Sequence, residues 1–119
     1  MPIQKEGVHF WDGESVLGGG TKTSSAHNLE TYYGALYVLV ATCGSPAPTS
    51  AAYMVVEVSI DGTTWFELTR IPIDRYANAV TKLNVRVPPE VMRSRVQFEN
   101  GATNGVTVDG VIQYVTTRG

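Results

Sequence analysis

The carboxylates and imidazoles of this chain are the side chains best suited to acid–base catalysis or metal binding. Asp12, Asp61 and Asp109 each come directly before a glycine, and Asp-Gly is a pair that β-turns and β-bulges select. None of them belongs to the ladder of acidic residues that forms a calcium loop. His9 and His27 lack the His-x-His or His-x-x-x-His spacing of zinc sites. These residues therefore predict turns, with no metal site and no cofactor.

A glycine-rich loop and a single cysteine also invite a chemical role. Residues 18–23 read Gly-Gly-Gly-Thr-Lys-Thr, but a phosphate-binding loop needs Lys directly after its second glycine and a helix behind it. Gly18 would be the second glycine of the motif, but Gly19 occupies the position of the Lys. Lys22 comes later, and no helix pattern follows. Cys43 closes the apolar run 35–43 and is predicted to be a small buried residue, because no motif places a histidine beside it. The sequence predicts no catalytic residue and no enzyme.

Aromatic side chains offer two alternatives, a platform on which sugars stack or a protein–protein contact. Trp65 and Phe66 are neighbours on a predicted strand, so they point to opposite faces and one of them is expected outside the core. An exposed aromatic residue on a sandwich marks a protein contact more often than a sugar site, and simple partial burial is commoner than either. The residues predicted to contact a protein partner are Trp11, Tyr32, Tyr33, Trp65, Phe66 and Tyr76.

Length and composition narrow the function class. A chain of 119 residues is near the usual size of one domain with one core. Its net charge of −2 provides no basic field for nucleic acid. The first residues lack the apolar segment of a secretory signal, and no apolar run approaches the roughly 20 residues that span a bilayer. We therefore expect a soluble intracellular product that binds neither nucleic acid nor membrane.

Hydrophobic alternation with a period of two predicts an antiparallel β protein. Residues 53–69 form the clearest hairpin: Met54, Val56, Val58 and Ile60 share one face, and the segment around Asp61 turns the chain. Helix periodicity is nearly absent, and the proline-containing segments 44–50 and 88–92 are predicted as loops. The predicted strands are 36–43, 53–60, 65–69, 80–87, 93–99 and 106–116, with a short strand at 8–11 and a further one at 28–33.

Two irregular regions complete the fold prediction. Residues 1–30 are interpreted as an irregular N-terminal arm or loop, in front of a sandwich body at 31–119. Within 106–116, Asp109-Gly110 predicts either a bulge in one strand or a turn between two, and the alternation that resumes afterward favours the bulge. Seven to eight short strands predict an all-β, antiparallel sandwich, and a jelly-roll topology is favoured over an immunoglobulin-like one because the Cys-Trp-Cys spacing is missing.

The chain resembles the small β-sandwich virion proteins of tailed bacteriophages, particularly the jelly-roll capsid cement, or decoration, proteins. The segments that carry the resemblance cover residues 30–117, and they are 33–38 (Tyr-Gly-Ala-Leu-Tyr-Val), 56–65 (Val-Glu-Val-Ser-Ile-Asp-Gly-Thr-Thr-Trp), 85–89 (Val-Arg-Val-Pro-Pro), 93–98 (Arg-Ser-Arg-Val-Gln-Phe) and 111–115 (Val-Ile-Gln-Tyr-Val). Similar hairpins occur in tail, neck and fibre modules and in carbohydrate-binding sandwiches, which remain the alternative.

The resemblance implies a non-enzymatic structural protein on the capsid surface of a virion assembled in the host cytoplasm. Its partner would be the major capsid protein or another virion protein, and it would form a homo-oligomer, with a trimer favoured. The family has no signature site, so the resemblance assigns no role to an individual residue.

Overall fold

The computed structural model describes residues 5–115 of the chain. These residues form nine strands and include no helix long and apolar enough to cross a membrane. The strands are β1 (Lys5–Val16), β2 (Thr21–Thr23), β3 (His27–Asn28), β4 (Ala35–Cys43), β5 (Tyr53–Ser59), β6 (Phe66–Pro72), β7 (Val80–Val87), β8 (Arg93–Glu99) and β9 (Val106–Val115). The end of the predicted strand 106–116 lies outside the described residues.

Two antiparallel sheets pack face to face. The four-stranded sheet has the order β1-β9-β4-β7, and the five-stranded sheet has the order β2-β8-β5-β6 with β3 also paired to β8. Apart from the pairs β2–β3 and β5–β6, which stay within the five-stranded sheet, consecutive strands cross from one sheet to the other, as in the paired Greek keys of a jelly roll. The predicted all-β jelly-roll sandwich is confirmed, with one strand more than expected because β2 and β3 share one position beside β8.

The core lies between the inner sides of the two sheets. On β4 every second residue is buried, with Tyr37 and Leu39 at 0% exposure. Phe98 on β8 and Ile112 on β9 are equally inaccessible. This is the period-two burial that the alternating sequence predicts, and strands 80–87 and 93–99 have the predicted bounds.

The prediction of an irregular N-terminal arm is wrong for the described residues. The 12-residue strand β1 pairs along β9, while β2 and β3 pair with β8. The glycine-rich loop between β1 and β2 is held by the Asn100 side-chain amide, which donates to the carbonyls of Val16 and Leu17. A side chain on Gly18 would overlap the backbone of Thr103. The glycines therefore permit close packing of backbones in place of flexibility.

The irregularity predicted at Asp109-Gly110 belongs to the opposite strand. Strand β9 runs through without interruption against β4, whereas the register between β1 and β9 shifts twice, between His9 and Trp11 and between Trp11 and Glu14. The single strand predicted at 106–116 is confirmed as far as residue 115, but the bulges lie on β1, on the other side of the ladder. The turn predicted at residues 12–13 is likewise a bulged part of β1.

The hairpin of β5 and β6 is confirmed, with two changes in its details. The Asp61 carboxylate accepts hydrogen bonds from the backbone amides of Thr63 and Thr64, so Asp61 is the predicted turn former. Ile60, however, is 66% exposed, whereas Ser59 is buried and its hydroxyl accepts from the Gly62 amide. The core alternation therefore ends one residue before the turn.

Candidate interaction surfaces

Cys43 does not have the surroundings of a nucleophile. Its thiol is buried and lies 3.3 Å from the Asp74 carbonyl oxygen, to which it donates. Burial raises the pKa of Cys43 above its ordinary value, which disfavours the reactive thiolate. The prediction that this residue packs as a small buried side chain agrees with its place in the core.

His27 lies inside the sandwich, where its Nδ1 is 2.9 Å from the Tyr37 hydroxyl. The ring also packs against Phe10, at a centroid distance of 4.9 Å. Its Nε2 atom is buried and has no hydrogen-bond partner among the described residues. Burial lowers the pKa of His27 below its ordinary value near 6.5, so the imidazole is neutral at pH 7.

His9, Asp12 and Asp109 come together at the bulged part of β1, with candidate ligand atoms within 4.8 Å of one another. The His9 Nε2 atom is 4.0 Å from Asp109 Oδ1, and the same oxygen accepts a 2.7 Å hydrogen bond from the Gly13 amide. Asp12 was predicted to form a turn and Asp109 a bulge, but Asp12 lies in the bulged part of β1 and Asp109 in a continuously paired part of β9. Sequence reasoning missed the group because Asp109 is nearly a hundred residues from the other two.

The outer side of the five-stranded sheet is here called the ion-paired face. Its charged side chains form four contacts: Arg70 with Glu67 and with Glu99, Arg95 with Glu57, and Arg93 with Glu30. Arg70 also lies over the ring of Tyr53 at 5.2 Å. Val55 points outward between Arg70 and Gln97 in the register, yet it is only 1% exposed. This face covers its own apolar residue and pairs its own charges.

The outer side of the four-stranded sheet is here called the aliphatic face. Leu36, Val38 and Val40 on β4 alternate with the buried residues of that strand and therefore point outward. Val111 on β9 lies directly beside Val38 in the register. Val38 is 39% exposed, so this stripe is open at its centre.

The charged residues of the aliphatic face stand at its two sides. Lys82 and Arg86 point outward on β7, and neither has an ion-pair partner among residues 5–115. Asp109 lies on the side toward β1, close to Asp12. The face thus has a basic side, an aliphatic centre and an acidic side.

The six aromatic residues predicted as contacts do not form one surface. Trp11 is 3% exposed and belongs to the core, so its assignment as a surface contact is wrong; the β1 bulge directs it inward. Trp65 is half-buried, with the Arg95 guanidinium 4.1 Å from its ring centre. Tyr32 stacks on Tyr114 at 4.5 Å. The remaining three are open to solvent, namely Tyr33 (62% exposed), Phe66 (58%) and Tyr76 (63%).

One end of the sandwich, here called the apolar end, carries Tyr33, Ile60 and Phe66. Ile60 borders a shallow cleft whose other walls include Leu29, Pro89 and Met92. The loops at this end are joined by backbone hydrogen bonds from Leu29 to Met92 and from Met92 to Ser59. Large apolar side chains on a rigid set of loops form a surface suited to a protein partner.

The chain is similar in fold to proteins of several functional classes. The Yersinia pseudotuberculosis-derived mitogen matches with 14% sequence identity over 99% of this chain and 91% of that chain, at a TM-score of 0.53. VP2 of infectious bursal disease virus, in its subviral particle, matches with 8% identity over 96% of this chain and 32% of that chain, at 0.61. A family 16 carbohydrate-binding module matches with 10% identity over 82% and 71%, at 0.51.

These identities are low, so the similarities show the β-sandwich fold alone. The chain spans about a third of the VP2 chain that it matches. No protein-family model matches the sequence, and no curated protein matches it. The choice among structural, binding and other functions therefore depends on the surfaces described above.

Proposed function

We propose that this protein is a non-enzymatic structural protein of a virion, a capsid cement protein of a tailed bacteriophage that binds the major capsid lattice. The apolar end carries the proposal, because Tyr33, Ile60 and Phe66 are more than half exposed there without an apolar covering. The jelly-roll fold, which is also found in a viral VP2, supports it. The protein would reside on the capsid surface.

The mechanism is mass action on assembly. A protein that binds only to neighbouring capsid subunits in the assembled lattice shifts the equilibrium toward that lattice. Ile60 and Phe66 would enter pockets on the capsid subunits, since buried apolar and aromatic residues dominate the energy of such contacts. The trimer implied by the resemblance stays a prediction, which the mass in solution tests.

The test is binding of the purified 119-residue chain to mature phage heads, followed by sedimentation of the particles. We expect saturable binding that falls at least tenfold in Phe66→Ala and Ile60→Ala. Leu17→Ala is the matched control, because Leu17 is 76% exposed in the loop at the opposite end of the sandwich. Binding to tails or necks but not to heads would move the protein to another virion position, and binding to no particle or subassembly would refute the proposal.

A carbohydrate-binding module is the second candidate, because a family 16 module shares the fold and Tyr33 and Tyr76 are exposed. The two tryptophans argue against it: Trp11 is buried, and Arg95 covers a face of the Trp65 ring. Calorimetry against a panel of glycans decides the matter. Binding that is lost in Tyr33→Ala or Tyr76→Ala would support sugar recognition over capsid binding.

A further inference from the structure

The residues of the aliphatic face lie in rows that cross the strands. Val40 is in register with Lys82 on β7 and with Asp109 on β9. Asp12 follows at the far side of the same row, since its neighbours on β1 flank the position opposite Asp109. One row therefore runs from an acidic pair through an aliphatic residue to a lysine that has no ion-pair partner within residues 5–115.

The next row has an aliphatic centre. Val38 is in register with Val111 on one side and with Asn84 on the other. The Val38 row therefore has apolar side chains on both middle strands and a polar side chain on β7, whereas in the Val40 row the middle strand β9 carries Asp109. An interface with a two-fold axis requires a self-complementary patch, because residues on one margin of one copy meet residues on the opposite margin of the other copy.

The required axis can be derived from this order. The axis lies in the plane of contact, runs parallel to the strands and passes midway between β9 and β4. Rotation about it exchanges the two margins and places each row of one copy over the same row of the other copy. Lys82 of one copy then lies across from Asp12 of the other copy, and the reverse contact occurs at the other side. The Val38 and Val111 side chains of the two copies meet at the centre.

We propose that the aliphatic face is the self-association surface of this protein, and that it takes the same face of a second copy of the chain. The charges of the two margins select a copy of the chain, because Lys82 has no ion-pair partner among residues 5–115 and the opposite margin carries the complementary acidic charge. The ion-paired face offers no such contact, since its charges are already paired. This inference rests on the proposed function only in that it assigns the surface through which the expected homo-oligomer forms. It predicts a dimer, whereas the resemblance implies a trimer.

The size of the face sets the strength of association. Four strands at about 4.8 Å spacing and about eight residues in length give roughly 500 Å² for each protomer. Specific interfaces typically bury about 800 Å² for each partner. The pairing is therefore expected at micromolar or weaker dissociation constants, and high ionic strength should weaken it because its marginal charges are screened.

The experiment is sedimentation equilibrium of the full chain from about 5 to 500 μM, the range that such an affinity requires. We expect a mass that rises toward that of two protomers. Val38→Glu should weaken the association at least tenfold, since it places a charge at the centre of the contact. Lys82→Glu and Asp12→Lys should each weaken it, whereas the double variant with both changes should regain the wild-type constant within about threefold.

Thermal unfolding of each variant separates loss of pairing from loss of fold, and Glu57→Gln on the ion-paired face is the control that should pair normally. A chain that stays monomeric throughout the range overturns the inference. A mass of three protomers overturns it as well and supports the trimer instead. A dimer that survives Val38→Glu, or that the charge exchange does not restore, also overturns it. Binding to phage heads is measured separately and depends on the apolar end, so either proposal can fail alone.

Discussion

The ion-paired face and the aliphatic face cover the same core from opposite sides. Only the ion-paired face pairs its charged side chains and shields its apolar residue from solvent. On the ion-paired face, arginines pair with glutamates and lie over aromatic rings, and Val55 is shielded. On the aliphatic face, Val38 is open and Lys82 has no partner among the described residues. Charged residues on neighbouring strands can pair only where the register sets opposite signs side by side. The register therefore decides which face pairs its own charges and which face leaves them for a partner.

The largest expected effect tests the scaffold that both faces share. Gly110→Ala places a Cβ atom 2.5 Å from the Phe10 ring. That ring packs against Trp11 and His27. We expect a loss of about 3 kcal/mol in the free energy of unfolding, the upper range of overpacking in a core. Denaturant unfolding measures it. Gly44→Ala is the control, since its nearest contact would be an ordinary 3.6 Å, and an equal loss there would contradict the explanation.

The next effect compares one truncation on the two faces. Val55→Ala removes a side chain that is 1% exposed, so it should cost about 2 kcal/mol through lost burial and the remaining cavity. Val38→Ala, at 39% exposure, should cost less than about 1 kcal/mol in the monomer. Unfolding at low protein concentration measures both. Equal costs would show that the two faces are covered to the same extent, against the comparison.

A third effect is the dependence of stability on pH, which tests the histidine buried in the core that both faces cover. Burial lowers the pKa of His27 in the folded state, so the unfolded chain binds a proton first as the pH falls below about 6.5. Stability should therefore decline from that pH toward the folded pKa, by at most about 1.4 kcal/mol per pH unit. His27→Gln should flatten this slope, as measured by unfolding between pH 7.5 and 5. A slope that persists unchanged in His27→Gln would contradict this assignment.

The smallest effect tests the ion pairs themselves. Glu57→Gln removes the charge that faces Arg95 and should cost less than about 1 kcal/mol, with a smaller cost at high salt. Lys82→Gln should leave the monomer unchanged, because Lys82 has no ion pair among the described residues. Unfolding at two salt concentrations measures both variants. A salt-dependent loss from the Lys82 change would reveal a pairing on the aliphatic face and weaken the contrast.

Much of the fold was predictable because its signals are local. The alternation of Val85 and Val87 with charged residues, and of Val96 with its neighbours, gave strands with the observed bounds. Asp61 was predicted as a turn former because an Asp side chain can bond the backbone two residues ahead. Its carboxylate accepts from the backbone amides two and three residues ahead. Only residues 8–11 of the N-terminal strand were predicted, since the two register shifts near Trp11 interrupt the alternation that would reveal its full length.

The candidate surfaces were less predictable for a different reason. Phe66 was expected outside the core if Trp65 was not, but Trp65 is also outside it, half-buried beneath Arg95. Trp11 was predicted to contact a partner because it is aromatic, but its side chain lies in the core. The stripe of Val38 and Val111 joins two strands that are far apart in sequence. Exposure is a property of the assembled sheets, so residue type alone assigns it poorly.

By itself, the sequence determined that this chain is an antiparallel β protein with its turn at Asp61 and most of its strands, because side-chain alternation and turn chemistry act over a few residues. Tertiary structure alone decided that His9 and Asp109 meet, that the loop at Gly18 packs against Thr103, and that Lys82 is left without an ion-pair partner among the described residues. These outcomes depend on which strands lie side by side and in what register, and a local pattern contains no information about a neighbour that arrives from nearly a hundred residues away.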